Sequence, residues 1–169
     1  LLRWTRNQNG KTKIYATLFN LTPVARQVVS LFSAIANAKE IELINRIEGK
    51  FDIFADEDMI KTVLRNLISN AIKFTYTGGQ VELSLADSGD YWTIYVKDNG
   101  KGIPKDLQAH LLKSDEYITT YGTHNEKGSG LGLILCRDFI RMNKGKLHFY
   151  SQEGIGTTFY FTIPKASSS

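Results

Sequence analysis

The sequence has little cysteine, proline or histidine, with one, three and three residues among 169. A single cysteine excludes an internal disulfide, and Cys136 lies in an apolar helical run that is typical of a buried structural thiol. His110, His124 and His148 are scattered, so they lack the spacing of zinc ligands. No apolar run approaches the roughly 20 residues that span a bilayer. The net charge of +4 includes no long basic run, so nothing indicates nucleic-acid binding.

The chain has the length and composition of one ordinary globular domain, with 42% hydrophobic and 22% charged residues. Its predicted helices and strands come in clusters and do not alternate strictly. Residues 80–86 and 91–97 flank Asp87-Ser88-Gly89-Asp90, a pattern that predicts a β-hairpin. This order of elements favours an α/β (α+β) two-layer sandwich, in which helices cover one face of a mixed sheet.

Two long helices are predicted before the hairpin. The first has Thr22 as its N-cap, and its apolar face carries Val24, Val28, Leu31, Phe32 and Ile35. The second follows Asp56 as N-cap and occupies residues 57–73. Its apolar residues recur at helical spacing and predict a broad buried face, made of Ile60, Val63, Leu64, Leu67, Ile68, Ala71 and Ile72.

A separate polar stripe on this second helix carries Thr62, Asn66, Asn70 and Lys73, at spacings of four, four and three. The carboxamide oxygen of Asn70 is a hard ligand of the kind that magnesium prefers, and Lys73 offers a charge partner for phosphate. A single asparagine in such a stripe more often belongs to a solvated polar face. The stripe therefore predicts a phosphate and cation site only if loops downstream complete it.

Two glycine-rich segments are candidates for those loops. Asp98 ends a predicted strand, and Gly100 and Gly102 after it allow a flat ligand to approach the backbone. The Asp98 carboxylate could accept a hydrogen bond from the amine of adenine, although Asp-Asn-Gly is also a common turn sequence. Residues 128–133 open a predicted helix, whose N-terminal N–H groups suit phosphate. They lack the dinucleotide and P-loop spacings, and a flexible linker is the alternative.

Together these segments resemble the histidine-kinase branch of the GHKL ATPases. Residues 66–75 resemble its N box, residues 98–103 its G1 box, residues 128–133 its G2 box and residues 154–159 its last glycine motif. The four motifs occur in the family's order and cover about residues 20–164. The chain thus resembles a sensor histidine kinase catalytic and ATP-binding domain, which implies a Bergerat-type fold with three helices on one face of the sheet.

The resemblance implies a site for ATP and Mg²⁺. Asn70 would hold the metal, and Asp98 would bind the adenine amine. Asn66 and Lys73 would serve both catalysis and cofactor binding. The other cofactor-binding positions that the resemblance implies are Phe74, Gly100, Gly102, Ile103, Lys127, Gly128, Ser129, Gly130, Leu131, Gly132, Leu133 and Thr158.

The resemblance also implies a lid and domain limits. Residues 113–127, a long polar stretch, would form a mobile ATP lid that becomes ordered with nucleotide. Leu112 stands where the family often has phenylalanine, which leaves the anchoring of the lid open. Residues 1–10 would be the end of a dimerisation-domain helix, residues 11–165 the catalytic and ATP-binding domain, and residues 166–169 a disordered tail.

The identity of Asn66 bears on the reaction. Chaperone, gyrase and MutL relatives carry a glutamate four residues before the magnesium asparagine, as the general base for water. An asparagine cannot take a proton at neutral pH, so phosphoryl transfer is preferred to hydrolysis. The acceptor would be a histidine on a separate dimerisation domain, because His110, His124 and His148 lack the helical motif of an acceptor.

Partners and location follow from the same resemblance. The full-length protein would be a homodimer that acts with a response regulator receiver domain, and this domain would contact no nucleic acid. It would be a cytoplasmic domain, with anchoring of the parent protein in the inner membrane left open. Two other functions also stay open, namely a degenerate nucleotide-binding regulatory module and a serine-directed kinase of the anti-sigma type.

Overall fold

The structure is a computed structural model that describes residues 13–112, 120–121, 127–128 and 131–165. The predicted helix end at residues 1–10 and the predicted tail at residues 166–169 lie outside the described residues. The strands are β1 Ala16–Asn20, β2 Glu42–Asn45, β3 Asp52–Asp56, β4 Gln80–Ser88, β5 Tyr91–Asp98, β6 Thr120–Tyr121, β7 Lys127–Gly128, β8 Leu147–Gln152 and β9 Gly156–Pro164. The helices are α1 Leu21–Ala38, α2 Glu57–Phe74, α3 Lys105–Gln108 and α4 Leu131–Met142.

A five-stranded sheet in the order β2-β4-β5-β9-β8 forms one layer of the domain. The β2 and β4 strands are parallel, and the other three pairs are antiparallel, so the sheet is mixed. The β4 and β5 strands are the predicted hairpin, with Ser88 opposite Tyr91 at its end. The α/β two-layer prediction is confirmed. The structure adds a separate antiparallel pair, β1 with β3.

The three long helices form the other layer, with α2 packed between α1 and α4. The predicted apolar face of α2 is confirmed, because each of its seven residues is buried. The helix begins where predicted, since Oδ1 of Asp56 accepts a hydrogen bond from the Met59 N–H at 3.1 Å. Its central place in the core fixes where its polar stripe points. Cys136 on α4 is also buried, as predicted for a structural thiol.

Two predictions for α1 are wrong. Its N-cap is Asn20, whose Oδ1 accepts from the Thr22 N–H at 3.2 Å, while the Thr22 side chain itself is buried. Leu31 and Ile35 are 58% and 56% exposed, so they do not belong to the buried face. The predicted residues Val24 and Val28 are buried, and Phe32 packs against the core, so the part of the prediction that concerns them is confirmed.

The predicted lid is described only in part. Thr120–Tyr121, within the predicted lid, pairs with Lys127–Gly128 in a short antiparallel ladder. The other residues of the predicted lid lie outside the described residues, so its mobility stays a prediction. Among the helices that the structure describes, none combines the length and the apolar composition that crossing a membrane requires.

Candidate functional site

A cavity of about 590 Å³ opens between the end of α2, the turn after β5 and the start of β9. Its volume lies within the usual range for small-molecule and cofactor sites. The predicted positions that line it are Asn70, Phe74, Asp98, Gly102, Ile103 and Leu133. Wall residues that the sequence analysis missed include Lys101, Leu107, Leu111, Glu153, Thr157 and Phe159. The four-residue spacing of Leu107 and Leu111, beside the glycine-rich turn, was the available clue.

Asp98 is the buried carboxylate of this cavity, with only 7% of its surface exposed. Its Oδ1 accepts hydrogen bonds from the Gly100 N–H at 2.9 Å and the Thr157 N–H at 3.2 Å. Burial nevertheless raises the pKa of Asp98 to about 6, since the two N–H groups oppose the effect only in part. Both of those bonds end on Oδ1, so Oδ2 is the oxygen that can accept a hydrogen bond from a ligand amine.

Gly100 lies outside the cavity wall, so its predicted place beside the adenine stays a prediction. A Cβ at this position would stand 2.1 Å from the backbone oxygen of Phe74. The Lys101 N–H donates to that same oxygen at 3.0 Å. Glycine is therefore needed so that the turn after β5 can pack against the last residue of α2.

Gly102 does line the cavity, and its φ of +71° is a left-handed conformation that favours glycine. A Cβ there would stand 2.2 Å from the Gln152 backbone oxygen. The turn before β9 is held to the same place, because the Gly154 N–H donates to the Lys101 carbonyl at 2.7 Å. Two glycine-containing turns thus meet at one side of the cavity.

Thr158, which is predicted to lie near the base, is one residue away from the cavity wall. Thr157 and Phe159 line the cavity, and Thr158 does not. Side chains alternate between the two faces of a strand, so Thr158 on β9 points to the opposite face of the sheet. The sequence analysis names Thr158, whereas the adjacent Thr157 is the threonine that lines the cavity.

The polar stripe of α2 is only partly in the wall. Asn70 lines the cavity, whereas Asn66 and Lys73 lie outside its wall. The Nδ2 of Asn66 donates to the Thr62 carbonyl at 3.0 Å, which ties the amide to its own helix. Its Oδ1 faces the first turn of α4, where a Cβ on Gly132 would stand 3.0 Å away.

The G2 segment supplies one described wall residue, the buried Leu133. Gly132 packs against Asn66, as given above, and Leu131 begins α4. Lys127 and Gly128 form β7. Ser129 and Gly130 lie outside the described residues. Within the described ranges, no group of three or more His, Cys, Asp or Glu side chains could hold a metal ion.

A family model described as histidine kinase-, DNA gyrase B-, and HSP90-like ATPase matches residues 55–167, more than half of the chain. The chain belongs to this ATPase family. The family binds ATP, so the predicted cofactor ATP is supported at this level. The match also spans α2 and every segment that lines the cavity.

Similar proteins place this ATPase domain in the histidine kinase branch. The solved catalytic domain of the histidine kinase ThkA is 31% identical, with a TM-score of 0.75, and the match covers 89% of this chain and 96% of that domain. The adaptive-response sensory kinase SasA of Crocosphaera subtropica is 30% identical over 97% of this chain. The chain spans only 43% of the length of SasA. The predicted family, a histidine kinase ATP-binding catalytic domain, is confirmed.

One further structure contains a partner. ThkA in complex with the response regulator protein TrrA matches 98% of this chain and 47% of that chain, at 26% identity and a TM-score of 0.75. The present domain therefore corresponds to part of a larger kinase chain in that complex.

Proposed function

We propose that this domain binds ATP with magnesium and transfers the γ-phosphoryl group to a histidine on a separate dimerisation domain of its parent protein. The observation that carries the proposal is Asp98, a buried carboxylate in a cavity wall with one oxygen left for a ligand. Its environment is apolar on several sides, with Ile103, Leu107 and Phe159 in the same wall. A flat base with one exocyclic amine fits this combination of apolar wall and single acceptor.

The adenine would lie against Gly102 and Ile103, with its amine donating to Oδ2 of Asp98. Phe74 would pack near the base, and the Lys101 ammonium, 5.3 Å from the Phe74 ring centroid, supports the position of that ring. The phosphates would extend toward Asn70 and the start of α4. Residues 127–133 would surround them.

Asn70 is the residue that fits a magnesium ion. Mg²⁺ keeps several waters and takes few protein ligands when it shares oxygens with substrate phosphates, so one carboxamide oxygen is an adequate protein donor. When bound, the ion neutralises phosphate charge. Lys73 would contact phosphate from the same side of α2, although its described position lies outside the cavity wall.

Transfer is preferred to hydrolysis because Asn66 cannot act as a general base for water. Its amide instead bonds to the Thr62 carbonyl and faces Gly132, which suits a role in holding α4 beside α2. Catalysis would then rest on the positioning of ATP and the acceptor and on charge neutralisation. His110 and His148 are exposed and lie outside the cavity wall, consistent with an acceptor elsewhere.

The parent protein would act as a homodimer in the cytoplasm and pass the phosphoryl group to a receiver domain. The complex of ThkA with TrrA supports a response regulator as partner. This chain spans only 43% of the length of SasA, and that difference supports the proposal that the parent contains further domains.

The test is to mix this chain with a separately produced histidine-bearing dimerisation domain and γ-labelled ATP. We expect acid-labile, base-stable label on the dimerisation domain, label that needs magnesium, and no label on this chain alone. Label on a serine of the partner would instead identify a serine-directed kinase. Tight ATP binding with no transfer to any histidine domain would identify a regulatory nucleotide-binding module.

A further inference from the structure

The last turn of α2 carries the site residues Asn70 and Phe74, yet it ends without the usual glycine cap. The chain leaves through Thr75, whose φ of −96° and ψ of 138° are extended, and the next glycine is Gly78. A helix end of this kind leaves four carbonyl oxygens that its own N–H groups cannot satisfy. Thr75 and groups distant in sequence supply their partners.

Each of the four oxygens has a partner. The Thr75 Oγ1 donates to the Ala71 oxygen at 2.6 Å, and the Lys101 N–H donates to the Phe74 oxygen at 3.0 Å. The two oxygens between them, on Ile72 and Lys73, both accept from the Lys39 ammonium, at 2.9 Å each. The Ile72 oxygen also accepts from the Thr75 N–H at the longer distance of 3.4 Å, whereas its bond from Lys39 is charge-assisted. The end of α2 is thus capped by a lysine from another helix.

Lys39 is well placed for this task and is not a surface residue. It is 7% exposed, whereas lysine is almost never this buried without partners. Its backbone is fixed at the end of α1, where its N–H donates to the carbonyls of Ile35 and Ala36 at 3.2 Å. A positive charge at a helix C-terminus is also favoured by the helix dipole.

The capped turn connects directly to the adenine-binding turn. The Phe74 oxygen holds the Lys101 N–H, and Gly100 packs against the same oxygen. Any shift of the last turn of α2 therefore moves Asn70 and Phe74 in the cavity wall and also displaces the turn that follows Asp98. Lys39 itself does not line the cavity.

We propose that Lys39 is a positioning residue for the nucleotide site, acting through the last turn of α2 and the turn after Asp98. The proposal rests on the proposed ATP-binding function. Lys39 does not touch the ligand. Its removal should nevertheless weaken nucleotide binding more than a destabilising substitution elsewhere in the fold does.

The test compares ATP dissociation constants, measured by calorimetry with magnesium at a temperature where unfolding curves show each protein folded. Lys39→Met keeps the stem and removes the ammonium, and we expect ATP to bind at least tenfold more weakly. Lys61→Met makes the same change on α2 at an ion pair with Glu57, 3.4 Å apart, and should alter affinity less than twofold. Val28→Ala on α1 serves as a destabilised control that should also keep its affinity.

Affinity of Lys39→Met within twofold of the unmodified protein, or an equal loss in Val28→Ala, overturns the inference. Failure of the unmodified protein to bind ATP would instead contradict the proposed function. If Lys39→Met does not fold, the unmodified protein is titrated with ATP while the ¹⁵Nζ resonance of Lys39 is followed. A shift that saturates with ATP binding supports the inference, and an unmoved resonance during binding overturns it.

Discussion

Asp98 shows at the scale of one residue how a binding group can weaken the fold that holds it. Its pKa is raised to about 6 from an ordinary 3.8, because burial disfavours the charged form more than two N–H groups stabilise it. An acid whose pKa is higher in the folded state contributes stability below pH 4. That contribution is lost as the pH rises through 6.

Replacing this carboxylate should therefore stabilise the nucleotide-free protein. We expect Asp98→Asn to raise the free energy of unfolding at pH 7.5 by about 2 to 3 kcal/mol, since one pKa unit is worth about 1.4 kcal/mol. Urea unfolding checks this, and the gain should vanish below pH 4. The control is Asp87→Asn, because a hydrogen bond from Lys165 lowers the pKa of that exposed carboxyl. This second substitution should therefore lower the free energy of unfolding at pH 7.5 instead of raising it. Equal or lower stability of Asp98→Asn at pH 7.5 would show that the buried charge of Asp98 does not destabilise the fold.

Nucleotide binding should depend on pH for the same reason. Protonation places a hydrogen on a carboxyl oxygen of Asp98 and removes the charge that favours acceptance from the adenine amine. The ATP dissociation constant should therefore rise as the pH falls through 6, approaching a tenfold rise per pH unit below it. Phosphate groups titrate in the same range. The pH profile of the ATP dissociation constant for Asp98→Asn contains only that phosphate contribution. It is subtracted from the profile of the unmodified protein. Identical profiles for the two proteins would rule out Asp98 as the titrating group.

At the scale of single elements, the sequence predicted buried faces well where one helix side meets the core. Every predicted apolar residue of α2 is buried, because that helix packs between α1 and α4. On α1 the same spacing rule misplaced Leu31 and Ile35, since only tertiary contacts decide which of two adjacent stripes meets the sheet. Thr158 lies outside the cavity wall for a related reason, because a shift of one residue exchanges the two faces of a strand.

The contact between the turn after β5 and the end of α2 makes a prediction about glycine. Gly100→Ala should destabilise the protein by about 3 kcal/mol and weaken ATP binding, because its Cβ would stand 2.1 Å from a backbone oxygen that cannot move alone. Thermal unfolding and calorimetry measure the two effects. The control is Gly89→Ala at the hairpin, where φ is +82° and nothing lies within 4 Å of the added Cβ.

Gly89→Ala should show only the left-handed backbone penalty, about 1 to 2 kcal/mol, with unchanged ATP affinity. A smaller loss of stability for Gly100→Ala than for Gly89→Ala would show that the turn after β5 can move away from α2 without destabilising the protein.

In the whole molecule, the cavity joins four segments that are distant in sequence. They are the end of α2, the turn after β5, the start of α4 and the start of β9. The motifs identified each segment, but the order β2-β4-β5-β9-β8 and the separate β1–β3 pair depend on contacts between distant residues and carry no local pattern. Lys39 illustrates the same limit, because nothing in the sequence around it indicates that it caps another helix.

The proposed ATP site depends above all on recognition of the adenine amine by Asp98 within this cavity. The direct measurement is calorimetry with ATP and with purine riboside triphosphate, which lacks that amine, on the unmodified protein and on Asp98→Asn. A hydrogen bond to a charged group contributes about 1.5 to 3 kcal/mol, so the unmodified protein should prefer ATP by about ten- to a hundredfold. Asp98→Asn should lose most of that preference. Equal affinity of the unmodified protein for the two nucleotides would contradict the claim.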